Sequence, residues 1–287
     1  MDNQPNIKED FQGFIHYCWR HHDTDATQVA ELLAQHTAEI GNAKQLSQYC
    51  SLILHVFGGH LATWPRALQL LTQLNNQSQW QQHPVLARAF AVTAYCNASE
   101  AEFQQYTSDM TKADLCQTYA QVANELSAQG KMTPALIAFN HATAELPDEL
   151  PSQPEVARSL AITANNLAVA LADLPDRTLE QDQAMVEAAQ QALSCWRIAG
   201  GWLEQERAEY RLALCYLAAD QLDLARQHAQ LCEAICLANG ADSYELFFAH
   251  ELLLQIHNAY CQHHKAKVPA EYQADCVIST PSSHLSN

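Results

Sequence analysis

Residues 116–147 read CQTYAQVANELSAQGKMTPALIAFNHATAELP, and this stretch decides the fold. Apolar and small residues recur at steps of three and four from Tyr119 through Val122, Ala123 and Leu126, the period of a helix with one buried face. Gly130 then interrupts the pattern at a turn, and the period resumes at Ala135, Phe139 and Ala142 until Pro147 closes it. Small side chains at Ala123, Ala135 and Ala142 let two helices approach closely, while Tyr119, Leu126 and Phe139 fill the space between them. The segment is therefore a helix, a short turn and a second helix packed on the first.

The pattern returns. Leu167, Ala168 and Leu171 repeat the first-helix spacing, and Leu212, Ala213 and Tyr216 repeat it again, followed by Ala225, Ala229 and Cys232. The small first-helix residue moves from Ala123 to Ala168 to Ala213, 45 residues each time, so stacked copies of one unit are expected. The middle copy keeps its second-helix positions poorly, with Ala192 the best small residue, and carries the long connection ADLPDRTLEQDQ. Residues 116–147 resemble the tetratricopeptide repeat, a 34-residue helix-turn-helix motif, and the resemblance extends over about 116–239. It implies an all-α fold, a right-handed α-solenoid of antiparallel helix pairs, that holds a peptide or partner protein in the groove formed by successive first helices.

Outward from this core, periodicity and start signals predict thirteen helices near 9–20, 26–40, 43–61, 64–74, 83–97, 100–109, 112–128, 133–146, 153–173, 179–199, 202–218, 222–239 and 243–265. Ser99 with Glu102, Ser152 with Glu155 and Thr178 with Gln181 have capping-box spacing, and Pro65 and Pro134 fit a first helical turn. Residues 1–110 are expected to be degenerate helical repeats, since the station for a small first-helix residue falls on His55 there. Residues 111–266 are expected to hold the repeats and a terminal capping helix, and 267–287, rich in Ser and Pro, a flexible tail.

Composition excludes several classes. With 15 Lys and Arg against 32 Asp and Glu, the formal charge of -17 repels nucleic-acid phosphates and anionic lipid surfaces. No run approaches the length of an apolar membrane span, and the polar, acidic start does not read as a secretory signal, so a cytoplasmic location is expected. Ten cysteines spread from Cys18 to Cys276 without a Cys-x-x-Cys pair fit reduced, mostly buried thiols.

Carried onto this chain, the repeat resemblance implies groove-facing residues Gln117, Gln121 and Asn124, then Asn165 and Asn166, then Arg207, Tyr210 and Arg211. The amides pair with a peptide backbone as donors and acceptors, and two arginines four apart suit a carboxylate, so a partner with an acidic segment is expected. Arg207 as a solvated partner of Glu204 or Glu209 is the competing reading. The terminal helix 243–265 is a candidate for capping the stack or forming a homodimer.

Fourteen histidines call for a metal test. His250, His257, Cys261 and His264 share a stripe, His228, Cys232 and Cys236 share another, and His16, Cys18, His21 and His22 cluster near the start. Packing accounts for these spacings, so no metal and no cofactor are expected. Phosphate loops, dinucleotide turns and nucleophile elbows are missing, and Leu254 stands where a zinc-protease helix beginning His250-Glu251 needs its second histidine. A non-enzymatic scaffold or adaptor is the expectation, with a ligand- or peptide-sensing module acting on another chain as the alternative and a metal-dependent helical enzyme behind both.

Overall fold

The computed structural model describes Ile7 and residues 10–267, with side chains through His263. Among the described residues there are thirteen α-helices and no strand. They are α1 (Phe11–His21), α2 (Ala26–Gln35), α3 (Ala43–Ile53), α4 (Trp64–Asn75), α5 (Pro84–Cys96), α6 (Glu100–Thr107), α7 (Lys112–Ala128), α8 (Met132–Ala144), α9 (Pro154–Ala172), α10 (Leu179–Ala199), α11 (Trp202–Ala218), α12 (Leu222–Ala238) and α13 (Ser243–Lys267). The expected flexible tail lies outside the described residues, apart from Lys267 at the end of α13. No described helix is long and apolar enough to cross a membrane, and the nine described cysteines are free thiols.

The starts follow local chemistry. Asp10, Asp25, Asn42 and Thr111 each accept a backbone N–H of the first turn that follows, satisfying a donor with no partner inside the helix. Of the three expected capping boxes only Thr178 with Gln181 forms. Ser99 occupies a cap position without a side-chain bond, and Ser152 falls in a 3-10 turn, so that Gln153 caps α9. Met132, one residue before Thr133, opens α8, which puts Pro134 third, within the first turn as expected. The ends are just as local. Gly130 (φ +71°) and Gly240 (φ +63°) adopt the left-handed conformation that closes α7 and α12, and Lys131 N–H and Ala241 N–H reach back to Leu126 O and Cys236 O at 2.9 and 3.0 Å.

The chain divides into two compact units, Met1–Gly201 and Trp202–Asn287. In the first, α7 packs with α8 and α9 with α10, and each odd-numbered helix also touches the next, α1 to α3, α3 to α5, α5 to α7 and α7 to α9. In the second, α11 packs with α12, α12 with α13, and α11 with α13. Alanine permits this closeness: Ala120, Ala123, Ala157, Ala161, Ala164 and Ala168 on α7 and α9 are buried, as are Ala188, Ala189 and Ala192 on α10. Thr163 Oγ1 donates to Ala120 O at 3.2 Å, joining α9 directly to the backbone of α7. The long α9–α10 connection is tied down by Arg177, which donates to Ala172 O and Leu174 O and pairs with Asp182 at 2.7 Å.

One expected helix is not regular. The periodicity from 43 to 61 predicts a single α-helix, but Leu54–His60 winds as a π-helix, with Leu61 N–H donating five residues back to Val56 O at 3.0 Å. Gly58 and Gly59 lie inside it. A Cβ on Gly58 would sit 2.1 Å from the Trp64 ring, and one on Gly59 would sit 2.6 Å from Glu125 Oε2. Bare backbone is required at both positions because other groups already occupy the space.

Candidate functional site

A groove of about 930 Å³ runs across the first unit. Its walls come from odd-numbered helices and their direct continuations: Trp19 and His22 at the end of α1, Gln48 on α3, Leu54 and His55 in the π-turn, Val92 on α5, Gln117, Gln121 and Asn124 on α7, and Ile162 and Asn166 on α9. The odd helices that touch in series therefore share one lined surface. Ile162 is 44% exposed there, an apolar contact left open among amides.

Four of the eight sequence-predicted residues, Gln117, Gln121, Asn124 and Asn166, meet in this groove. Asn165, one residue round the helix, is half-buried and not part of the lining. Arg207, Tyr210 and Arg211 belong to the second unit. Arg207 pairs with Glu245 of α13 at 2.5 Å, a partner neither expected reading named, and Tyr210 meets Phe248 edge to face. Arg207 therefore reaches across to another helix rather than to the Glu204 or Glu209 of its own.

The groove amides form a chain. Asn166 Nδ2 donates to Asn124 Oδ1 at 2.9 Å, Asn124 Nδ2 donates to Glu125 Oε1 at 3.5 Å, and Gln121 Nε2 donates to the same oxygen. Glu125 is completely buried, and its other oxygen meets His55 Nδ1 at 3.0 Å. His55 Nε2 in turn faces His60 Nε2 at 3.1 Å. His22 completes the cluster, with ring centroids 5.0 Å from His55 and 4.9 Å from His60, and Trp19 lies against both His22 and His55. Asp23 Oδ1 stands 3.4 Å from His22 Nε2 and 3.6 Å from His60 Nε2.

The electrostatics separate two of these imidazoles. Burial works to lower His55, but the hydrogen bond and charge of Glu125, with Asp23 behind them, outweigh it and hold His55 above the usual histidine range. His60 is held below that range by burial and by the neighbouring His55 and His22. A proton on His55 Nε2 directed at His60 Nε2 fits both directions.

The metal-ligand stripes read from the sequence resolve differently. Of His16, Cys18, His21 and His22, only His22 enters a cluster; Cys18 is buried and His21 stacks on Tyr17. His228 pairs with Glu209 at 2.6 Å and stacks on Tyr216, leaving Cys232 and Cys236 with buried Glu206. Cys232 Sγ donates to Glu206 Oε1 at 2.9 Å. Burial raises Cys236 to about 11 and Cys232 further, so both thiols stay protonated donors. On α13, His250 pairs with Glu233 at 2.9 Å and His257 Nε2 lies 3.6 Å from Cys261 Sγ, while the His264 side chain is outside the described set.

His55, His60 and Glu125 were missed as site residues. The available signals were His55 at a station that calls for a small residue, and the Gly58-Gly59 pair within a helical period. Comparison with family models gives no match, and comparison with curated proteins gives no significant match.

Proposed function

We propose that the chain is a non-enzymatic binding module, a right-handed α-solenoid of antiparallel, tetratricopeptide-like helix pairs, which holds an extended peptide or a partner's peptide segment in the groove of its first unit. The observation that carries this reading is that every wall of the groove belongs to an odd-numbered helix or its continuation, the arrangement expected when first helices of stacked pairs line one face. Gln117, Gln121, Asn124 and Asn166 offer amide donors and acceptors suited to peptide backbone, and Ile162 offers an apolar contact for a side chain. Arg158, also in the lining, supplies a positive charge for an acidic residue of the peptide.

The test is selection of a displayed random-peptide library on the full chain, followed by affinity measurement on chains carrying Asn124→Ala with Asn166→Ala. Enriched peptides should bind the double variant at least tenfold more weakly, about 1.4 kcal/mol. No enrichment, or equal affinity for the double variant, overturns the assignment.

A further inference from the structure

Three imidazoles packed together are a costly way to fill space, because every ring nitrogen removed from water needs a partner. In this cluster two Nδ1 atoms are already committed. His55 Nδ1 meets the buried Glu125 carboxylate at 3.0 Å, and His22 Nδ1 meets Trp19 O at 2.5 Å. Both rings are thereby oriented with Nε2 available for another partner, the arrangement in which carboxylates and carbonyls fix metal-ligating histidines.

We propose that His22, His55 and His60 bind a divalent transition-metal ion of the zinc class at the end of the groove, with the exposed Asp23 carboxylate beside His22 and His60. The ligand atoms of the three histidines all lie within 4.8 Å of one another. Tetrahedral bonds of about 2.0–2.1 Å put neighbouring ligand atoms roughly 3.3 Å apart. His55 Nε2 to His60 Nε2 is 3.1 Å, His22 Nε2 to Asp23 Oδ1 is 3.4 Å and His60 Nε2 to Asp23 Oδ1 is 3.6 Å. An imidazole donor set without thiolate suits zinc and its first-row neighbours.

The backbone is shaped for this convergence. On an α-helix, residues five apart point about 140° away from each other. In a π-helix of about 4.4 residues per turn they come back to nearly the same side, and the π-turn contains both His55 and His60. Gly59 leaves the space through which Glu125 reaches His55, since a Cβ there would lie 2.6 Å from Glu125 Oε2 and 3.4 Å from His55 Nδ1. The His55–His60 contact exists without an ion as a hydrogen bond. An ion replaces that proton, so uptake releases a proton and weakens as pH falls.

The experiment is calorimetric titration of the reduced, chelator-treated full chain with Zn²⁺, run beside His22→Ala, His60→Ala, Glu125→Gln and His257→Ala. One equivalent should bind tightly to the wild type. His22→Ala and His60→Ala should each weaken binding at least tenfold, Glu125→Gln by tenfold to a hundredfold, and His257→Ala should bind as the wild type does. Both histidine changes lie at partly open positions, and an unchanged helical circular dichroism signal certifies that the fold persists. Absence of tight uptake by the wild type, or wild-type affinity in either His22→Ala or His60→Ala, overturns the site.

Discussion

Glu125 and Glu206 are both buried, at 0% and 1% exposure, and their surroundings differ in kind. Glu125 accepts from an imidazole and two side-chain amides that connect it to the groove wall. Glu206 has two thiols, Cys232 and Cys236, as its close neighbours, and thiols are weak donors. Burial, helped by the charge of Glu245 and opposed by Cys232 and Cys236, therefore raises Glu206 above the usual carboxylate range. A carboxylate amid strong N–H donors orients other groups, whereas one amid thiols is driven toward the neutral acid and packs. The first cluster is built to hold something in place, the second to fill a core.

Replacement by leucine gives the largest contrast. Glu125→Leu leaves His55 Nδ1 and the Gln121 amide without their acceptor, and should cost about 3–5 kcal/mol in urea denaturation of the full chain. Glu206→Leu removes only thiol hydrogen bonds and the strain of a buried acid, and should fall within about 1 kcal/mol of wild type. Equal costs would erase the distinction between the two clusters.

Gly59→Ala probes the first cluster without changing any titratable group. In a helix interior this change ordinarily adds up to about 1 kcal/mol of stability. Here the new methyl meets the Glu125 carboxylate, so a loss of about 1–3 kcal/mol is expected by the same denaturation measurement. A gain instead would mean that Glu125 moves aside at no cost and does not anchor His55.

The smallest effect is a pH dependence confined to the second cluster. Because folding raises Glu206 above its ordinary value of 4.5, the unfolded chain ionises there first as pH rises, and the folded state loses stability until the raised value is passed. Glu206→Gln cannot ionise. Its thermal midpoint should therefore exceed that of wild type at neutral pH, with the difference shrinking as pH falls toward about 4.5. A difference constant from about pH 4 to pH 8 would show that the thiols solvate the carboxylate as well as water does.

Much of the architecture was legible because the decisive signals are local. Thirteen helices form at the stretches where spacing of three and four predicts them, although 26–40 ends at Gln35 and 43–61 leaves the α form after Ile53, and the starts at Trp64, Glu100, Pro154 and Leu179 fall within a residue of those read from caps and prolines. The capping boxes were less reliable, because Ser99 and Ser152 have the right neighbours without the right backbone. Four of the eight residues carried over from the repeat resemblance, Gln117, Gln121, Asn124 and Asn166, line one groove from α7 and α9, because helical spacing brings them to one side of each helix. The histidine cluster was not, because it joins the end of α1, the π-turn and α7, and Glu125 lies 70 residues from the imidazole it orients. No helical period marks that convergence, since the turn that creates it departs from the period itself.

The π-turn thus makes the cluster depend on residue count as well as residue identity. If the backbone over Leu54–His60 took ordinary α-helical winding at unchanged length, His60 would swing by about 90° away from His55, with every imidazole and carboxylate still encoded. A chain with one residue fewer between the two histidines would bring them together on a plain α-helix, four apart on one face, so in this chain the five-residue spacing and the π winding are matched to each other.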